Sequence, residues 1–183
     1  IRDLELDEIV DILQNLPDQK TENILSSMSQ RDRQRIQEAL VYPEDSAGGL
    51  MNTDIISVRP KHNLEVVMRY LRAQRELPKN TDQIFVVSRE NKYLGSLPIS
   101  LIVVSDPSLN VRELMETETQ PLEANLNDKD VSRLFEQNDW VSAPVVDNES
   151  RLIGRVTIED VVDVIMEDAD QNFLGMAGVA EDT

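Results

Sequence analysis

The sequence predicts an α/β (α+β) fold, two βαββα units in tandem preceded by a short all-helical segment. The first reason is a repeat: Leu50-Met51-Asn52-Thr53 matches Leu114-Met115-Glu116-Thr117 at an offset of 64. The same offset relates Val58 to Leu122, Asn63 to Asn127, Val67 to Val131 and Leu71 to Phe135. The second reason is that the offset then becomes 59, pairing Val86-Val87 with Val145-Val146, Gly95 with Gly154 and Leu97 with Val156. Since 64 exceeds 59 by five, the first copy carries five extra residues, which Arg75–Asn80 accommodates. The third reason is that each copy alternates strand-like and helix-like apolar spacing.

Before the repeat, residues 1–41 read as three helices. Ile9, Ile12, Leu13 and Leu16 keep helical spacing. Pro17 suits a first turn and opens a second helix to Met28. Ser29 with Asp32 forms a capping box for a third, ending near Val41. Pro43 stops that helix, and Gly48-Gly49 permits a tight or left-handed turn. In each copy a short strand (55–58; 119–123) leads to an asparagine cap and an amphipathic helix (64–75; 128–138). Two strands joined by a polar turn come next (84–87 and 93–97; 143–146 and 152–156), then a closing helix (99–104; 158–170). A three-stranded sheet of this size cannot bury both faces alone, but two copies packed together can.

Bulk composition narrows the function. In 183 residues there are 18 basic and 35 acidic side chains, a net charge of −17. That excess argues against nucleic acid and anionic membranes and favours cations as partners. Cysteine is absent, so disulfides and thiolate metal sites are excluded. The single histidine, His62, reads as a loop residue and cannot build a His-rich zinc site or a redundant Ser-His-Asp triad. Ser57 and Ser142 have no histidine nearby in sequence, so no nucleophile–base pair is visible and the chain is not expected to be an enzyme. Trp140 reads as core. No apolar run is long enough to span a membrane, and a chain that opens on Ile1 reads as a piece of a longer one.

The closing helix carries the chemistry. Asp160, Asp163, Glu167 and Asp170 are spaced 3, 4 and 3 apart, which places them within roughly 80° of arc. Val161, Val164, Ile165 and Met166 fall mostly elsewhere and are expected to pack inward. Such a stripe is either a solvated helix face or a weak divalent-cation surface. Thr157 and Asp160 together form a capping box.

The pattern of Leu-Met before the first strand, then apolar-apolar-Asp, Gly and Thr-x-x-Asp, resembles a tandem CBS domain pair over about residues 50 to 168. The junction Tyr42-Pro43-Glu44-Asp45-Ser46-Ala47-Gly48-Gly49-Leu50-Met51 and the run from Glu167 to Gly178 resemble the MgtE family of magnesium transporters and channels. The resemblance divides the chain into the end of an N-domain (1–41), CBS 1 (42–105), CBS 2 (106–168) and the start of a link to a transmembrane domain (169–183). It implies a magnesium-sensing regulatory part at the cytoplasmic face of the membrane, a homodimer through its CBS domains, with its own transmembrane domain and no nucleic acid as partner.

The family binds Mg2+ at acidic positions of the second CBS unit and its exit helix. The resemblance carries that role to Asp139, Asp160, Asp163 and Asp168, and the stripe adds Glu167 and Asp170. Asn127, Lys129, Gln171 and Asn172 stand where the family would have a carboxylate. Apart from the resemblance, Asp139 reads as a helix-end charge before the buried strand. In many CBS pairs the Thr157-x-x-Asp160 motif also holds the ribose of ATP or another adenosine nucleotide; the matching aspartate position in the first copy is Leu101, which cannot. The rival functions are therefore an adenosine-nucleotide sensor regulating another protein and an acidic interaction module with no small ligand.

Overall fold

The computed structural model describes Gln30 and residues 41–181, with side chains through residue 170. Except for helical Gln30 and a turn at Val41, the three helices expected over 1–41 lie outside the described residues. The two copies of the repeat are explicit from Ser57 onward. The first unit holds β1 (Ser57–Val58), α2 (Leu64–Ala73), β2 (Gln83–Val87), β3 (Tyr93–Pro98) and α3 (Ile99–Val104). The second holds β4 (Leu122–Glu123), α5 (Asp128–Asn138), β5 (Ser142–Val146), β6 (Leu152–Thr157) and α6 (Ile158–Glu181). Each unit forms a three-stranded sheet in which the first strand pairs parallel to the second and the second antiparallel to the third.

The strands and caps arise from the residues. Central strands β2 and β5 are buried on both faces apart from half-buried Gln83, as their unbroken apolar runs require. Asn63 and Asn127 cap their helices as expected, accepting from the N–H of Val66 and Lys129 at 2.9 Å. The opening strands are shorter than expected, two residues each, because pairing begins only at Ser57 and Leu122. Pro121 immediately precedes the second and has no N–H for the ladder.

Two further helices are present that the spacing does not predict, α1 (Ala47–Leu50) and α4 (Val111–Leu114). Gly48-Gly49 is therefore helical, with no glycine at positive φ among the described residues, rather than a left-handed turn. Glycine is needed there for space: a Cβ on Gly48 would enter the Tyr42 ring, and one on Gly49 would meet the Pro43 and Glu44 carbonyls.

The leaders are exchanged between units. Ala47 and Met51, ahead of the first unit, are buried in the core of the second with Leu122, Val131, Phe135, Val145 and Val156. Val111, with Leu114 and Met115 beside it, packs in the core of the first with Leu64, Val67, Ile84 and Leu97. The backbone is exchanged too: Asn52 pairs with Arg155 on β6, and Glu116 pairs with Ser96 on β3, by reciprocal N–H···O bonds of 2.7–2.9 Å. Leu64 N–H donates to Leu109 O at 2.9 Å, and Asp128 N–H to Asp45 O at 2.8 Å, the same contact 64 residues apart. The repeated glycines now have a cause. A Cβ on Gly95 would lie 2.5 Å from Glu116 O, and one on Gly154 would lie 2.7 Å from Asn52 O and Met51 Sδ.

The five extra residues fall where expected. Nine residues (74–82) join α2 to β2, against three (139–141) between α5 and β5, and α2 is one residue shorter than α5, which leaves a net excess of five. Arg155, 5 % exposed, anchors this loop by donating to the Asn80 and Lys79 carbonyls at 2.9 and 2.5 Å. Trp140 is partly buried against the second core, edge-to-face with Phe135.

The exit helix corrects two expectations. It runs to Glu181 rather than ending at residue 170, and no proline between 171 and 181 interrupts it. Met166 is 63 % exposed rather than packed inward, whereas Val161 and Val164 are buried as expected. Among the described residues no helix is long and apolar enough to cross a membrane.

Crowding at the exchanged leaders makes a definite demand on both sheets. Gly95→Ala and Gly154→Ala should each lower unfolding stability by about 1–3 kcal/mol, measured by urea denaturation, although neither residue packs in its own unit's core.

Candidate functional site

The junction segment folds first around Ser46, whose hydroxyl donates to Pro43 O at 2.6 Å and accepts the Gly49 N–H at 3.2 Å. Ala47 and Gly48 then donate to the Leu126 and Ala124 carbonyls, both at 2.8 Å. These bonds hold Glu44 and Asp45 over the first turn of α5, where Asp128 begins the helix. Helix α5 packs along α6, which brings the acidic stripe to the same place.

The result is an open cleft of about 610 Å³ lined by six carboxylates, Glu44, Asp45, Asp128, Asp160, Asp163 and Glu167, with Gly49, Leu50 and Val164. Burial, then the nearby Asp45 and Asp168 charges, hold the Asp128 carboxyl above its usual range. Among the described residues no three acidic or histidine side chains converge into a metal-binding group. The donor set is nevertheless all hard oxygen, which fits a cation such as magnesium that retains much of its water. The arrangement suits a hydrated ion between facing surfaces better than a dehydrated one in a rigid cage.

Of the metal-site candidates, three come together here: Asp160, Asp163 and Glu167. The others do not line the cleft. Asp168 sits 3.7 Å from Lys129 Nζ, so a lysine at a position where a carboxylate was expected neutralises part of the cluster. Asp170 is exposed further along the helix. Asp139 is the left-handed C-cap of α5, φ 53°, its N–H bonded to Phe135 O. That is the far end of an eleven-residue helix, about 16 Å from Asp128 at 1.5 Å per residue. Asn127, another position without its expected carboxylate, is occupied as a helix cap.

Sequence reasoning does not single out Glu44, Asp45 and Asp128. The 64-residue repeat could reveal them only if read as an exchange, in which the leader of one unit caps the helix of the other. The remaining motif residues have structural partners. Asp160 Oδ2 accepts from Thr157 N–H at 3.2 Å and from its hydroxyl at 3.0 Å, the acidic half of the expected capping box. The matching cap position in the first unit is Pro98, with no side-chain cap bond. Ser142 hydroxyl donates to Asp82 across the units.

Residues 1–45 match the family described as the MgtE intracellular N domain, and residues 47–103 and 111–167 each match the CBS domain. The magnesium transporter MgtE of Thermus thermophilus is 30 % identical over 177 residues, covering 95 % of this chain and 39 % of that protein. The magnesium transporter MgtE of Bacillus subtilis is 25 % identical over 176 residues, covering 96 % of this chain. The chain spans 39 % of the length of both curated relatives. Among solved structures, the cytosolic domain of the Mg2+ channel MgtE in complex with ATP aligns at TM-score 0.83 and 32 % identity, over 89 % of this chain and 67 % of that one. The soluble part of a magnesium transporter aligns at TM-score 0.85 and 25 % identity, over 91 % of this chain and 65 % of that one.

Because folding raises the Asp128 pKa, the folded state holds that proton more tightly, and stability is lost as pH rises through the window above 3.8. Asp128 therefore opposes the fold at neutral pH. Asp128→Asn should raise the thermal midpoint by about 1–2 °C at pH 7 in low salt. Calorimetry at descending pH should show the gain vanish once the native carboxyl is protonated.

Proposed function

The chain belongs to the MgtE family of magnesium transporters, and on that premise we propose that it is the magnesium-sensing regulatory part of a divalent-cation transporter or channel. One observation carries the reading: the cleft joins carboxylates from three separate segments, the junction after the N-domain, the start of α5 and the exit helix α6. Bare, these charges repel. At about 6 Å two unit charges cost roughly 0.7 kcal/mol in water, and more where the cleft is partly desolvated. A hydrated Mg2+ ion held by Asp160, Asp163, Glu167, Asp128, Asp45 and Glu44 would cancel that repulsion and draw the segments together. Asp139, Asp168 and Asp170 would serve ions at other surfaces, toward the N-domain or a second subunit.

The transmission is mechanical. Helix α6 is continuous from Ile158 to Glu181, so a change in how its first turns sit is passed along its length. High magnesium would compact the assembly and hold a pore closed; low magnesium would splay the carboxylates and favour opening. The domain division at 42, 106 and 169 belongs to the same proposal, as does a location at the cytoplasmic face of the membrane beside a transmembrane domain. The role is regulatory and not enzymatic. Exposed apolar side chains support a homodimer through the CBS domains: Val103 and Val104 on α3 are 69 % and 80 % exposed, and Met166 on α6 is 63 % exposed.

A nucleotide reading is the alternative, favoured by the ATP in the similar solved cytosolic domain. It would use Thr157 and Asp160. Leu101 in the matching position of the first unit offers no ribose ligand, which weighs against two equivalent sites.

With an intact N-domain present, magnesium from zero to tens of millimolar should reduce the hydrodynamic radius and slow proteolysis of the junction. Replacing Asp163 and Glu167 by Asn and Gln should shift that transition to higher magnesium by about tenfold, and an unchanged radius throughout would refute the proposal. Calorimetry with ATP, ADP and AMP separates the alternative: submillimolar binding lost in Asp160→Asn, with no response to magnesium alone, would favour it. Sedimentation should show a dimer that Val104→Glu weakens.

A further inference from the structure

The first unit holds a second cleft, of about 360 Å³, between the end of β1, the face of α2 and the turn after β2. It shares no lining residue with the acidic cleft. Its size is at the lower end of small-ligand pockets. In a chain with 35 acidic residues its lining contains none, but it does contain Arg59 and His62. Among the described residues neither side chain has a carboxylate partner. Ser88 adds a third polar group. Its oxygen accepts the N–H groups of Glu90 and Lys92 at 3.3 and 3.2 Å, which leaves its own proton to donate. The other wall is apolar, made by Val66, Val67 and Tyr70, and Tyr70 and Val66 are both exposed on it.

The repeat supplies an internal control. At the offset of 64, Arg59 corresponds to Glu123, His62 to Leu126 and Tyr70 to Leu134. Those three residues line the groove at the matching place in the second unit, together with Glu118. That groove has its own aromatic, Trp140, but no cationic side chain, so the scaffold does not impose the positive charge that Arg59 and His62 bring to the first unit.

We propose that this cleft binds a small organic anion, whose phosphate or carboxylate meets Arg59 and His62 while its flat apolar body lies on Val66 and Tyr70. Guanidinium pairs bidentately with either anion, and the exposed tyrosine face offers area at little entropic cost. The cleft adjoins the seam between the units, where Asn91 Nδ2 donates to Leu152 O at 2.9 Å and Leu152 N–H to Asn91 O at 2.9 Å. The proposal is independent of magnesium and stands or falls apart from the acidic cleft.

His62 is the sole histidine, so its ring resonances report on the cleft without ambiguity. The 183-residue chain, free of divalent ions, is titrated with phenyl phosphate, benzoate, inorganic phosphate and neutral benzyl alcohol. At least one aromatic anion should shift His62 saturably, with a Kd of about 1 mM or below. Inorganic phosphate should bind more weakly and benzyl alcohol should leave the ring unmoved. The ratio of phenyl phosphate to benzoate affinity tells which head group is preferred. Arg59→Gln and Tyr70→Ser, both at solvent-accessible positions, should each weaken binding by about tenfold while the remaining amide spectrum is unchanged. Shifts that stay linear to about 10 mM, or that survive Arg59→Gln undiminished, overturn the proposal.

Discussion

The fold rests on the exchange of leaders. Neither sheet is complete alone: each has an open outer edge and an apolar face, and each is closed by a segment that belongs in sequence to the other unit. Asn52 extends the second sheet and Glu116 the first, while Met51 and Val111 fill the facing cores. Burying side chains of that size contributes about 1.5–3 kcal/mol each, so separating the units would cost both their interface and part of each core. Gly95 and Gly154 exist for this contact, since a side chain on either would displace the crossing backbone. The two units are thus one cooperative body.

The acidic cleft is a consequence of that exchange. Asp45 reaches Asp128 only because the junction docks on the second unit, its carbonyl accepting the N–H that opens α5. The charges are therefore imposed on one another by packing that no carboxylate chose. Lys129 beside Asp168 relieves one corner, but both groups are largely exposed, so that pair is worth little. What remains is a surface whose electrostatic cost depends on the cations around it. The proposed sensing of an abundant ion would require that weakness, because a tight cage would stay filled at every physiological concentration.

The halves share a backbone and differ in polar chemistry. Ser96 and Arg155 occupy equivalent buried strand positions, yet only Arg155 reaches across to hold the extra loop of the first unit. Leu101 stands opposite Asp160, and Glu123 opposite Arg59. Duplication supplied the backbone twice, and the cleft beside Arg59 and its counterpart beside Glu123 then took opposite charge.

By itself the sequence determined what is local or periodic. The repeat offsets, the asparagine caps, the paired strands, the extra loop, the helix stripe of Asp160, Asp163 and Glu167, and the family all follow from residue types at fixed spacings. Hydrophobic periodicity and capping act over a few residues and leave marks that can be counted. Only the tertiary structure decided which partner each element has. That Gly48 and Gly49 are helical beneath Tyr42, that Asp45 and Asp128 join the stripe, that Asp139 lies a helix length away, and that Arg59 and His62 share a cleft are facts of long-range packing. A chain whose leaders could have closed their own sheets or each other's bears the same apolar pattern and the same two glycines either way, and the pairing of Asn52 with Arg155 and of Glu116 with Ser96 distinguishes the two.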